Sequence, residues 1–555
     1  MRRRYPLGVF VVAVCVLVLV SSPKAQSNGK SVRIGMPQDW TQHHILFTRD
    51  GLLENPALIS REPRVLHQAW QRWQTPRAQD SVGAAAGAFE PAGPQRDWNV
   101  PLNLGRVAPN MFPAKYSFDV GAPPNCLNDY VVFGLNHVGQ NNQANLVAFS
   151  NIYSGTGPAG VCGTAPTILF AYNISTLTAG RILTSPVLSL DGTKIAFVES
   201  GNISGVSTSV FHVVTWATGP GNGTSPTGPA RPGTGNTATM TSLTFASALD
   251  TRSSPWVDYK SDTAYVGADD GRIYKITNVF HGTPTLAGAP WPVTISPNVR
   301  ASAPVLDNRL GLLMVGSQNG TFYSINTGTG VVKSLVVGRS GGTNPGILAP
   351  PLVDVTTGTS FVVSSNDGTT GVLVQVNSAT MTQMSKARIG LASKSGTAVS
   401  LYQPAFSNGY FDSPGTSVVR LCGTGATDST PWQYAFGFTL VSGKWVLNTA
   451  PSFSAQLLTS TAARCTGWTE FFNPNVNGGT DFFFFGLTAD CTGAGTSGCV
   501  VARNSDVSLT KVDITGGSSG IVIDNYSTQA QAASIYFTGA TTPNTAYKLT
   551  QNGLQ

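Results

Sequence analysis

The sequence predicts an all-β fold, a β-propeller of about eight four-stranded blades, with seven as the alternative count, behind a small irregular and helical N-terminal segment. Three observations carry this. First, residues 313–325 (LMVGSQNGTFYSI) set an apolar strand, an Asn-Gly turn and a second strand in succession, and residues 264–276 (AYVGADDGRIYKI) repeat the layout 49 residues earlier. Tyr265, Val266, Gly267, Gly271, Tyr274 and Ile276 fall opposite Met314, Val315, Gly316, Gly320, Tyr323 and Ile325, and residues 361–376 form a looser third copy. Second, a small residue or proline followed by an apolar strand recurs at Pro124, Pro186, Pro255, Pro304, Pro351, Pro404 and Pro474, and at Gly520, where glycine replaces proline. Repeats of about 40–50 residues with four strands each are the signature of propeller blades. Third, 61 glycines, 35 prolines and only 11% charged residues in 555 fit an exported all-β chain with many short turns.

Taken in order, residues 1–25 read as a signal peptide: Arg2, Arg3 and Arg4, then an apolar run over 9–20, then Ala25 as the cleavage residue. Pro23 stands where a small residue is preferred, and an uncleaved anchor is the alternative. No later segment is apolar for long enough to span a bilayer. Cleavage lowers the formal net charge from +7 to +3 and leaves no basic cluster with interleaved aromatics, so no nucleic-acid partner is expected. Six cysteines remain, and an even number in an exported chain favours disulfides; proximity along the chain pairs Cys126 with Cys162, Cys422 with Cys465, and Cys491 with Cys499. None forms a CxxC pair and no histidine lies at helpful spacing, so no metal ligands are assigned. The expected location is secreted, periplasmic or cell-surface.

Residues 26–113 lie outside the repeat. Within them, 60–74 (SREPRVLHQAWQRWQ) reads as a helix: Ser60 can cap it, Pro63 falls in the first turn, and Val65, Leu66, Ala69, Trp70 and Trp73 share one side. Docking onto the main domain is the expected use of that side, and partner binding the alternative. Residues 81–93, rich in Ala and Gly, read as a linker. His43 and His44 follow Asp39 and Trp40. On a strand, adjacent histidines point to opposite faces, so a hydrogen-bonding role is expected over metal binding. Trp70, Trp73, His43 and His44 form the candidate interaction segment.

The propeller is expected over 114–555. Its clearest blade has an inner strand at 304–306, further strands at 312–316 and 321–325, and an outer strand at 331–337, with glycine in the turns for positive φ. Residues 219–239 read as a loop insertion. The last repeat shows three strands, 521–524, 534–538 and 546–549, and residues 116–120 are expected to add the fourth and close the ring.

YVGADDGRIYKI and MVGSQNGTFYSINTGTGVV resemble the repeats of quinoprotein-type (PQQ-like) propellers, and SPVLSLDGTKIAFV, residues 185–198, resembles a TolB-like repeat. The chain as a whole is similar to exported bacterial propeller proteins. An active quinoprotein would imply PQQ at the ring centre, a disulfide between adjacent cysteines, calcium held by Glu and Asn, and a tryptophan closing most repeats. Here no two cysteines are adjacent, and no tryptophan follows Thr327-Gly328 in residues 329–333, so no cofactor is expected and PQQ is disfavoured. Structural calcium held by turn carbonyls stays compatible with the sequence.

Propeller repeats specify architecture and not activity. Gly338-Arg339-Ser340-Gly341-Gly342 matches the G-x-S-x-G pattern, but Thr343-Asn344-Pro345-Gly346 does not start the helix that a nucleophile elbow needs, so it reads as an interblade turn. After residue 25 the glutamates are Glu54, Glu62, Glu90, Glu199 and Glu470, three of them ahead of the propeller, while Asp191, Asp269, Asp270, Asp307 and Asp367 sit in turn contexts. No catalytic residue is assigned. The expected function is an exported, non-catalytic scaffold that binds a protein or glycan through loops at one face. The alternatives are an extracellular enzyme acting on a carbohydrate or other polymer in the funnel, and a surface structural protein that self-assembles through its N-terminal segment.

Overall fold

The structure, a computed structural model, describes residues 34–49, 62–69, 95–155, 160–339, 345–392, 399–473, 479–491, 497–504, 508–527, 529 and 531–550. Eight antiparallel blades form the propeller. Their inner strands are Ala114–Ser117, Val187–Leu188, Trp256–Asp258, Val305–Asp307, Leu352–Asp354, Ala405–Phe406, Thr469–Asn473 and Val522–Asp524, numbered here blades 1 to 8.

Blade 4 shows why the repeat folds as it does. Val305–Asp307, Leu312–Gly316, Thr321–Asn326 and Val332–Val336 pair in succession. Leu313, Met314, Val315, Phe322 and Ile325 are buried because the sheet is covered on both faces by neighbouring blades, while Lys333 and Ser334 of the outer strand are exposed. Gly320 has φ +80°, and a Cβ there would lie 2.4 Å from the backbone N of Arg339, so the turn needs glycine twice over. The hydroxyl in the Ser-x-Pro signature pins the end of the second strand: Gly316 N–H donates to Ser302 Oγ at 2.9 Å, and Gly267 N–H to Ser253 Oγ at 2.7 Å. Blade 7 makes the same bond from Gly486 to Thr466 at 2.7 Å, and blade 8 from Thr538 to Ser519 at 3.1 Å. At the other end of the inner strand, Asp258, Asp307 and Asp354 accept backbone N–H bonds from the turn that follows.

Three sequence expectations change. Blade 1 has Ala114–Ser117 as its inner strand, and Pro124 lies in the turn leading to Tyr130–Gly134. In blade 7 the inner strand Thr469–Asn473 precedes Pro474, which lies outside the described residues. The ring closes through Gln95–Pro101, which pairs antiparallel with Thr545–Thr550, and not through 116–120. The reason is burial: Tyr116 and Lys115 are inner-strand residues with no exposure to speak of, and Lys115 Nζ reaches Asp524 at 2.6 Å. The closing strand instead supplies Asp97, which pairs with Lys548 at 3.0 Å, and Trp98, which packs on Phe149 and Tyr536.

Two insertions cover sheet edges that would otherwise offer unpaired N–H and C=O groups. The 219–239 loop runs along the outer strand of blade 1, with Ala171 N–H donating to Asn222 O and Ala230 N–H to Ala171 O. The hairpin Phe438–Val441 and Lys444–Leu447 lies against blade 5, where Leu447 N–H donates to Gln375 Oε1 at 2.7 Å. Disulfides join Cys126 to Cys162, Cys422 to Cys465 and Cys491 to Cys499, which suits an oxidising compartment. Among the described residues no helix is long and apolar enough to cross a membrane.

Candidate functional site

The centre of the ring is occupied by the chain's own N-terminal segment. Met36–Gln38 pairs antiparallel with the inner strand of blade 1, and Ile45–Leu46 pairs in parallel with that of blade 5. Between them, Asp39 caps a 3-10 turn, Trp40–His43, by accepting from Thr41 N–H at 3.0 Å, and takes the Leu188 N–H of blade 2 at 3.3 Å. Residues 63–69 are helical and lie beside this turn. Arg64 ties the helix to blade 3: its guanidinium stands 3.7 Å over Trp256, donates to Val257 O at 2.7 Å and to Thr41 Oγ1 at 3.0 Å, and pairs with Glu62 at 3.0 Å. Gln68 clamps helix to strand by donating to Ile45 O at 2.6 Å and accepting from Phe47 N–H at 2.9 Å. His67 Nδ1 lies 2.7 Å from the Tyr526 hydroxyl of blade 8.

The helix is therefore buried on nearly all sides and not along one apolar stripe; Arg64, His67 and Gln68 are as enclosed as Val65 and Ala69. Trp70 and Trp73 lie outside the described residues. His43 and His44 end the 3-10 turn and do not occupy a strand. The signal that marks this turn in the sequence is Asp39 two residues before Thr41, whose N–H it caps. Both histidines pack against Phe112, with His43 stacked at 5.8 Å and His44 edge-on at 6.4 Å. His44 is fully buried, whereas His43 is only partly so.

The segment leans on blades 1, 2, 3, 5 and 8, and space remains between it and blades 6, 7 and 8. The larger part, a cleft of about 470 Å³ open to solvent, has Gln42, His43 and His67 on one side and Phe406, Trp468 and Glu470 on the other. A smaller part, about 270 Å³, continues to blade 8 and is bounded by Gln38, Gln42, His43, His67, Glu470 and Asn525. Gln42 donates its amide N–H to Pro37 O at 3.0 Å, which turns Oε1 away without a partner; Glu470 Oε1 and Asn525 Oδ1 are also buried without one.

Burial sets the chemistry of this lining. It lowers His67 to about 4, and burial with the adjacent His67 lowers His43 to about 3, so both imidazoles are neutral near pH 7. Burial, the neighbouring Asp481 charge and a hydrogen bond to it push Glu470 well above the usual carboxylate range. Burial also raises Asp481, which accepts the Asn408 N–H at 2.9 Å. The two carboxyls thus share a proton. The lining is uncharged where it meets the cleft, and suits a hydroxyl- or amide-bearing group beside an aromatic wall. Glycosidase carboxyls stand roughly 5–9.5 Å apart to leave room for a sugar bond or water, and a hydrogen-bonded pair is too close for that.

PQQ does not fit. Trp40, His44, Phe47 and Arg64 fill the place a planar ring-centre cofactor would need, and each is buried. Among the described residues no three His, Cys, Asp or Glu side chains gather as a metal site. Asp191, Asp269, Asp270, Asp307 and Asp367 act locally: Asp270, for example, accepts from Arg272 N–H at 3.0 Å and from the Tyr274 hydroxyl at 2.7 Å. Arg339 precedes residues 340–344, which lie outside the described set, so the G-x-S-x-G segment is not placed.

No family model and no curated protein matches the chain. Among solved structures it is similar to the Dos1 propeller at 10% identity and TM-score 0.50, covering 82% of this chain and 95% of that one. It is also similar to BamB from Moraxella catarrhalis, at 12% identity and TM-score 0.44 over 82% and 99%, and to the WD40 domain of Toxoplasma gondii coronin, at 11% and 0.39 over 65% and 78%. The likeness is one of fold.

Proposed function

We propose that this chain is an exported binding scaffold that holds a protein or glycan partner on the loops of its faces, with its N-terminal segment serving as an internal plug. The observation behind the reading is the occupied ring centre: the place where a propeller enzyme works on substrate is taken up by Trp40, Phe47 and Arg64. Export rests on residues 1–25, which lie outside the described set, and on the three disulfides. The quinoprotein-like character of the repeats belongs to this proposal as a statement of ancestry without cofactor. Self-assembly through the N-terminal segment is disfavoured for residues 34–49 and 62–69, which are spent inside the ring.

Array binding with extracellular glycans and envelope-protein peptides tests the reading. Binding that survives Glu470→Gln and His43→Gln in the cleft, and is lost on changing exposed face loops, is expected. A second reading, an enzyme acting on a polymer, draws on the proton-sharing Glu470 and Asp481 beside His43 and His67. Turnover of a polysaccharide or peptide that Glu470→Gln abolishes would replace the scaffold reading with that one.

A further inference from the structure

One polar constellation lies outside the plug, at the seam between blades 1 and 2. Lys194–Ile203, Val206–Thr215 and Thr239–Ala246 are the second, third and outer strands of blade 2, and their register sets His212 opposite Ser242. His212 Nδ1 lies 2.9 Å from Ser242 Oγ, and His212 Nε2 lies 2.9 Å from Glu199 Oε2. His212 and Glu199 have no solvent exposure, whereas Ser242 is exposed. The Thr176 hydroxyl donates to Glu199 Oε2 at 2.7 Å, and the Thr176 and Leu177 N–H groups donate to Oε1 at 3.0 and 3.1 Å.

These contacts fix proton positions. Burial alone raises the Glu199 pKa, but the His212 and Thr176 donors outweigh it and hold the carboxyl below its ordinary range. An ionised carboxylate can only accept, so Nε2 carries a hydrogen toward Glu199, and in the tautomer with that single N–H the Nδ1 atom accepts from Ser242 O–H. A nucleophile, a base and a carboxylate that orients the base are thereby joined in sequence, which is the geometry that activates a hydroxyl. Thr239–Ala246 pairs on one side only. Successive N–H groups of a strand alternate in direction, so either Ser242 or Leu243 directs its N–H away from the sheet, where a developing oxyanion would find a donor.

We propose that Ser242, His212 and Glu199 form a surface acyl-accepting site that takes an acyl group from an ester. Ser242 Oγ bonds to the acyl carbon as its proton passes to His212 Nδ1. The ester C–O bond then breaks, and the leaving alkoxide departs as the alcohol with that proton. Water attack on the acyl-serine, with His212 again taking and returning a proton, releases the carboxylic acid. The site goes beyond the scaffold reading and does not depend on it, because no residue of the plug or the cleft takes part.

The test uses the full chain with p-nitrophenyl acetate and, separately, a fluorophosphonate, followed by peptide mapping. Ser334 is the internal control, an exposed serine on the outer strand of blade 4. General-base assistance is worth about 10²–10⁴ in rate, so Ser242 is expected to be modified at least tenfold faster than Ser334, and nearer a hundredfold. Ser242→Ala should abolish the adduct with an unchanged circular dichroism spectrum. A Ser242 rate less than tenfold above that of Ser334 overturns the proposal, and so does an adduct that persists in Ser242→Ala. Because neither reading requires replacing buried His212 or Glu199, a misfolded variant does not enter the result.

Discussion

His67 offers the sharpest quantitative test of the plug. Its imidazole is held neutral by burial, with the folded pKa at about 4 against 6.5 for the ordinary side chain. The folded value is depressed, so above pH 6.5 neither state binds the proton and the term is absent. As pH falls from 6.5 toward 4 the unfolded chain binds a proton that the folded chain refuses, and stability is lost. About 2.5 pH units at 1.36 kcal/mol each amounts to about 3 kcal/mol by pH 4. Asp39, Glu62 and Glu470, all raised by burial, act with the opposite sign: the folded protein holds their protons more tightly. Comparing His67→Asn with the wild type removes the His67 proton together with its small effect on His43. Asparagine leaves an acceptor near the Tyr526 hydroxyl, and at pH 7 the variant should be about 1–2 kcal/mol less stable. At pH 4 that gap should close and reverse, the difference having moved by about 3 kcal/mol in favour of the variant. Urea unfolding followed by tryptophan fluorescence at pH 7 and pH 4 measures both. A difference that moves by less than about 1 kcal/mol, or moves the other way, would refute the burial of His67 in a proton-excluding centre.

Other consequences follow from the same contacts. Arg64→Met removes the cation that pairs with Glu62 and stacks on Trp256, and should destabilise the protein by about 3–5 kcal/mol at pH 7, read by denaturant midpoint. Ser302→Ala should cost about 1–3 kcal/mol through the orphaned Gly316 N–H, and an equal loss from Ser253→Ala would show that the hydroxyl pin works alike in adjacent blades. Replacing Cys126 and Cys162 by serine opens a loop with a sequence separation of 36, for which chain entropy gives about 4 kcal/mol, measured as a fall in unfolding free energy.

The blades were legible because their signals are local. A Pro or Ser before the inner strand, an Asp after it and a glycine in the hairpin each answer a backbone need within a few residues, as Ser302, Asp307 and Gly320 show. Where those signals were weak the reading slipped. The strand Gln95–Pro101 was invisible as a strand because it is polar, proline-ended and stabilised by partners some 450 residues away, Lys548 and Thr550. The plug was hidden for a related reason. Arg64, His67 and Gln68 look like a solvated helix face, and only the surrounding blades, through Val257, Tyr526 and the backbone at 45–47, turn them inward. The cleft depends on Glu470 meeting Asp481 across a hairpin and on histidines delivered from the far end of the chain, a pairing no local pattern encodes.

The central claim is that residues 36–47 and 63–69 occupy the ring centre, and hydrogen exchange of the full chain followed by mass spectrometry tests it most directly. Amides in these two stretches should exchange as slowly as those of inner strands such as Val305–Asp307 and Leu352–Asp354, because Val353 N–H donating to His44 O at 2.9 Å and Phe47 N–H donating to Gln68 put them in the same protected layer. Exchange within seconds, like that of an exposed chain end, while the inner strands stay protected, would contradict the account.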